Sequence, residues 1–162
     1  MADPASQRSV GRRSVLFVAL LILSWVVMTF THELGHVIGG WVVGAKLVDV
    51  DLAPWRMPYS VHAPDPHPRV TLWCGPVLGV LIPLALAALI RRRPAWLVAD
   101  FCLLANGSYL ALAWLSGGPF LDTPRLLDAG AHPLSIAIFC LLTIAVGYVR
   151  FRNDCIEWFK TS

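Results

Sequence analysis

Residues 15–43 form an apolar run with one charged side chain, Glu33, set in the pentad His32-Glu33-Leu34-Gly35-His36. As one straight helix a run of this length would extend roughly 44 Å, more than the roughly 30 Å hydrocarbon core of a bilayer. A small soluble domain has too little protein to cover such an element, whereas lipid covers it directly. The run is therefore expected to span a membrane and to tilt, bend or protrude.

Three further apolar segments follow at 72–90, 95–115 and 134–149, each bounded by charges or by Pro and Gly clusters. Of the 162 residues, 57% are hydrophobic and 14% charged, and the mean hydropathy is +0.65. Soluble domains run near a quarter charged. The expectation is one α-helical integral membrane domain over residues 1–162, with about four transmembrane helices and the lipid bilayer as its main partner. The basic start and apolar stretch of the first run have the form of a signal peptide. That stretch is too long for one, and cleavage near Ala45 would discard the histidine pair, so the run is read as a retained span.

The thirteen basic residues set the expected orientation. With the N-terminus inside, Arg8, Arg12, Arg13, Arg91, Arg92, Arg93, Arg150, Arg152 and Lys160 fall on the cytoplasmic side. Lys46, Arg56, Arg69 and Arg125 remain outside. Both termini are thus expected in the cytoplasm, with the small size pointing to a prokaryotic inner membrane. The pI near 8.9 reports topology, and nucleic acid is not expected as a partner, because the arginines sit in short clusters beside spans. Neither composition nor motifs specify an oligomeric state.

Between the first two spans, Leu47–Leu52 and Arg69–Leu72 alternate apolar and polar residues around a Pro-rich middle. Period-two alternation predicts a small β-hairpin or sheet there. His62 and His67 lie in this region and are read as loop residues rather than ligands. The four cysteines form no C-x-x-C pair and are read as small buried side chains. Asn106-Gly107-Ser108 has the form of a glycosylation site but lies inside an apolar span, where its amide would instead hydrogen-bond near the site.

H-E-x-x-H on a helix puts two imidazoles four positions apart on one face, where they can hold a single Zn²⁺. Glu33 lies roughly 60° around the helix from His36, suited to act as a general base without ligating the metal. Ionisable groups in a span cost about 2.5 kcal/mol or more each unless partnered, which makes an accidental trio improbable. Catalytic zinc takes three protein ligands, and the candidates for the third are Asp122, Asp128 and His132, with Asp49, Asp51, His62, Asp65 and His67 in the earlier loop.

Here the chain resembles the site-2 protease family of intramembrane zinc metallopeptidases. That family pairs an H-E-x-x-H helix with a later L-D-G-G-R-type motif whose Asp completes the zinc site. Phe120-Leu121-Asp122-Thr123-Pro124-Arg125-Leu126-Leu127 is similar, with Thr123-Pro124 in place of the two glycines. Asp128-Ala129-Gly130 is a second match with one residue inserted. The resemblance implies Asp122 as third ligand, with Asp128 as the alternative; as a bare helix signal, Asp122 could equally be an N-cap. Cys74-Gly75-Pro76-Val77-Leu78-Gly79 is similar to the family's A-G-P-x-x-N segment, without its Asn. Gly35, Gly39, Gly40 and Gly44 form small-x-x-x-small pairs that would let another span approach the metal.

The resemblance implies a zinc metalloprotease that hydrolyses transmembrane protein substrates, with Glu33 as base and His32, His36 and Asp122 on Zn²⁺. The alternative is a non-catalytic zinc-binding scaffold or regulator, favoured by the departure at Thr123-Pro124 and opposed by the presence of Glu33. A metal transporter would need polar residues along several spans, and the second and fourth have almost none.

Overall fold

The structure is a computed structural model that describes residues 4–160, with side chains from Gly11 onward. Its elements in chain order are α1 (Pro4–Val42), β1 (Leu47–Asp51), β2 (Tyr59–His62), α2 (Pro68–Ile90), α3 (Arg93–Ser116), α4 (Asp122–Asp128) and α5 (Pro133–Lys160). Four of these helices, α1, α2, α3 and α5, are long and apolar enough to cross a membrane. Their outward faces carry large apolar side chains in mid-helix, such as Leu81, Leu112 and Leu141, the surface a bilayer covers. Several hydroxyls within these helices turn back onto their own backbone, as Ser24 to the Leu20 carbonyl and Thr31 to that of Val27, both at 2.7 Å, which removes the cost of an unpaired donor in apolar surroundings.

Helix boundaries follow local chemistry. Pro68 opens α2 and Pro94 lies in the first turn of α3, where a missing N–H costs nothing. α2 ends at Arg91 and α3 at Gly117, each left-handed (φ 54° and 66°) and each donating its N–H back into the last turn. The Arg69–Leu72 stretch expected as a strand is instead the first turn of α2. A four-residue alternation carries little weight beside a proline that fixes a helical φ at its start. The hairpin expected between the first two spans is present, but its second strand is Tyr59–His62, antiparallel to Leu47–Asp51. α5 continues eleven residues past the expected span end at 149, to Lys160, and its polar end packs on α1, with the Trp158 indole donating to the Arg13 carbonyl.

α1 packs along α2, α3 packs against both, and α5 lies on α3. Helix contact is made at small residues: a side chain at Gly147 would strike the backbone of Leu104. Near the C-terminal end of α1 a core of Leu72, Leu110, Leu126, Ile136 and Cys140 fastens the short α4 to α2, α3 and α5. At the opposite end, buried Asp100 accepts from Arg150 Nε at 2.7 Å.

Candidate metal centre

α1 presents His32 and His36 on one face, one turn apart, and α4 brings Asp122 to them. The two Nε2 atoms lie 3.2 Å apart; Asp122 Oδ2 lies 2.7 Å from the first and 3.3 Å from the second. All three side chains are buried. Asp122 is the first residue of α4 and Leu121 occupies the cap position, so its carboxylate faces the histidines and does not cap its own helix. Burial works against ionisation of Asp122, but His36 and His32, when protonated, hold its carboxyl well below the usual carboxylate range.

The histidine tautomers are fixed by their other ring nitrogens. Asn106 Nδ2 donates to the Cys102 carbonyl at 2.8 Å, which turns its amide oxygen toward His32 Nδ1, 2.7 Å away. His36 Nδ1 stands 2.9 Å from the Thr71 carbonyl. Both partners can only accept, so each Nδ1 carries the proton and each Nε2 points a lone pair at Asp122. Two lone pairs and a carboxylate oxygen held this closely repel unless a proton or a cation stands among them. Bonds of about 2.0–2.1 Å from a tetrahedral metal give ligand separations of about 3.3 Å. Two of the three separations meet that value, and the third is closer, at the length of a charge-assisted hydrogen bond. His32, His36 and Asp122 can together hold a metal ion, and a His₂Asp donor set suits zinc and related first-row ions.

Glu33 lies outside this trio. Its carboxylate accepts from Ser60 Oγ on β2 at 3.4 Å and is reached from two sides. One is a cleft of about 590 Å³ that also exposes His36, Asp122, Tyr59, Phe120 and Arg125. The other is a chamber of about 280 Å³ beside Trp25, Met28, Met57 and Tyr109. The arrangement puts a group able to hold a metal ion and a carboxylate outside that group on one cavity wall.

Backbone positions without side chains make the close approach feasible. A Cβ at Gly75 would overlap the His36 imidazole, and one at Gly35 would overlap the Cys74 carbonyl of α2. A Cβ at Gly79 would meet Asn106 Oδ1 at 2.7 Å. The glycines expected to admit a neighbouring span to the metal do so at Gly35 and Gly39; Gly44 has open space around it.

No protein-family model, curated protein or solved structure matches this chain.

Of the candidate third ligands, Asp122 is with the histidines. Asp128 is exposed at the far end of α4, Asp49 accepts from the Tyr59 hydroxyl at 2.9 Å, and Asp51 pairs with Arg56 at 3.6 Å. His67 is exposed before α2 and His132 caps the start of α5 through its Nδ1. His62 is half-buried, its ring lying where a Gly40 side chain would be, and its Nε2 has no partner among the described residues. Three contributors were not anticipated, one of them the Thr71 carbonyl at His36 Nδ1. Ser60 meets Glu33, and Thr123 donates to the Leu110 carbonyl at 2.7 Å, tying the first turn of α4 to α3. Ser60 carried a signal in its place within a four-residue β-like stretch, Tyr59 to His62, between Pro58 and Pro64; Thr123 carried none beyond its adjacency to Asp122.

Proposed function

We propose that this chain is an intramembrane zinc metalloprotease of the site-2 protease type, which hydrolyses peptide bonds of membrane-embedded or membrane-adjacent proteins. The observation that carries the reading is the convergence of two tautomer-fixed Nε2 lone pairs and the Asp122 carboxylate beside a separate, cleft-facing Glu33. When bound, zinc polarises the peptide carbonyl and acidifies water. Glu33 takes the proton of the attacking water as its oxygen adds to the carbonyl carbon. The same carboxyl then returns a proton to the amide nitrogen as the C–N bond breaks. Asn106 and Thr71 keep the two imidazoles in the ligating tautomer, and Thr123 holds Asp122 against them.

β2 is paired with β1 on one edge only, and its residues Tyr59, Ser60 and Val61 line the cleft. An extended substrate segment adds to that open edge, its carbonyls freed from helical hydrogen bonds and carried past Glu33. The excess of basic residues at the other end of the bundle supports cytoplasmic termini, with the site in the outer half of the bilayer, and the small size supports a prokaryotic inner membrane. The departure at Thr123-Pro124, which favours a scaffold, has a supporting role here, because Thr123 anchors the ligand-bearing turn.

The test is Glu33→Gln in purified protein, with bound zinc measured by elemental analysis and cleavage measured on a panel of membrane-spanning peptides in liposomes. About one zinc per chain should be retained while cleavage falls by about 10²–10⁴-fold. Zinc binding with no cleavage by the native protein, and unchanged cellular function in the variant, would sink the protease reading in favour of the scaffold.

A further inference from the structure

Arg125 lies one turn along α4 from Asp122, is exposed, and is among the described residues the one Lys or Arg lining the cleft at Glu33. The two carboxylates that line the cleft with it are otherwise engaged, and exposed Asp128, three residues on along α4, makes no ion pair with it. Asp122 faces the histidines, Glu33 takes the Ser60 hydroxyl, Asp49 the Tyr59 hydroxyl and Asp51 the Arg56 guanidinium. Arg125 itself has no carboxylate within ion-pair distance among the described residues. A divalent ion in the centre would balance Glu33 and Asp122, so the guanidinium leaves the cleft net positive.

The opposite side of Glu33 differs. Met57, Pro58 and Tyr109 wall both sides, the chamber adds Trp25, Met28, Thr29 and His32, and the cation described there, Arg56, pairs with Asp51 at 3.6 Å. Trp25 is half-exposed on the outward face of α1, so this chamber opens toward the region lipid covers. A chain laid across Glu33 therefore meets apolar walls on both sides, with an unpaired guanidinium added on one of them.

We propose that Arg125 determines specificity: the cleft selects membrane peptides with an acidic side chain on one flank of the scissile bond and apolar residues on the other. The proposal rests on the protease reading and deepens it by naming the substrate class. Its contribution is recognition, made equally to a bound and a reacting peptide, so it acts on affinity and KM and leaves kcat nearly unchanged.

The test separates binding from hydrolysis by using zinc-loaded Glu33→Gln protein in detergent micelles. The probes are fluorescein-labelled peptides with one apolar helix of about 20 residues and a Gly/Ser flank, in which a single Glu is moved through successive positions and compared with Gln. At the favoured position the Glu peptide should bind about fivefold more tightly than its Gln twin, the scale of a partly exposed ion pair. Arg125→Gln should abolish that preference while leaving the affinity of the Gln peptide unchanged, and Arg125→Glu should transfer the preference to a Lys peptide. Equal binding of Glu and Gln peptides at every position, or a preference that survives Arg125→Gln, overturns the proposal. Native protein that cuts these peptides without charge preference would leave the protease reading standing and this one refuted. A preference that follows Arg125 in binding, with no cleavage by native protein, would refute hydrolysis and leave recognition standing.

Discussion

Asn106 is the sharpest point at which the geometry can be tested. Its side chain is fully buried, its Nδ2 is held by the Cys102 carbonyl, and its oxygen is the acceptor for His32 Nδ1. Asn106→Leu preserves branching and approximate volume while removing that acceptor, so the Nδ1 proton is left without a partner in a buried site, at a cost of about 1–3 kcal/mol. His32 can escape the cost by moving its proton to Nε2, but that nitrogen must then lose it before it can ligate. Either route lowers zinc affinity, by about 10- to 100-fold. Asn106→Asp keeps an acceptor at His32 Nδ1 but sets its second oxygen against the Cys102 carbonyl, so it should bind zinc better than Asn106→Leu while melting below native. The assay is equilibrium competition for zinc against a chromophoric chelator in detergent, with thermal melting of the metal-free protein as a control for folding. A Leu variant that binds zinc within twofold of native, while His32→Ala does not, would show that the His32–Asn106 contact does not prepare the ligand.

Two further outcomes follow from the same packing. Gly75→Ala puts a methyl group into the His36 imidazole and should lower stability by about 1–3 kcal/mol and zinc affinity by more than about tenfold; Gly11→Ala, with nothing within 4 Å of the new carbon, should change neither in parallel melting and chelator assays. For His62, burial holds the imidazole below its usual range, reinforced by His36 and Arg125 and opposed by Asp65. The unfolded chain then binds more protons than the folded one as pH falls through the ordinary imidazole range. His62 therefore contributes stability that is present above about pH 6.5 and lost on acidification toward its folded pKa. Melting of native and His62→Gln protein between pH 8 and pH 5 should show a steeper loss in the native chain, since the two differ only at this imidazole; parallel curves would refute the assignment.

The four spans were legible because hydropathy and length together leave a 29-residue apolar run nowhere else to go. The reach of α5 to Lys160 was not, because hydropathy marks where lipid contact ends and says nothing of where backbone hydrogen bonding ends. The polar turns after residue 149 stay helical by packing on α1, where Phe17 meets Trp158 and Phe159. β1 was read from its alternation, but its partner was misplaced: Tyr59–His62 is only four residues long, and the rival stretch beside Pro68 had an alternation as good. Ligand spacing on α1 was legible because it depends on one helix alone. Asp122 needed the resemblance, since nothing local says that a carboxylate 86 positions beyond His36 will meet it.

The difference between Asn106 and Gly79 carries this furthest. Compared as a linear motif, the segment Cys74 to Gly79 lacks the asparagine its resemblance would supply, which counts against the site. In three dimensions Gly79 is the opening through which an asparagine from α3 enters, with Oδ1 standing where a side chain at residue 79 would begin. An amide and a glycine on facing helices make one unit, and neither is interpretable alone. If that is so, filling position 79 should fail for the same reason as emptying position 106: both deprive His32 Nδ1 of its acceptor, and the two changes together should cost little more zinc affinity than either one.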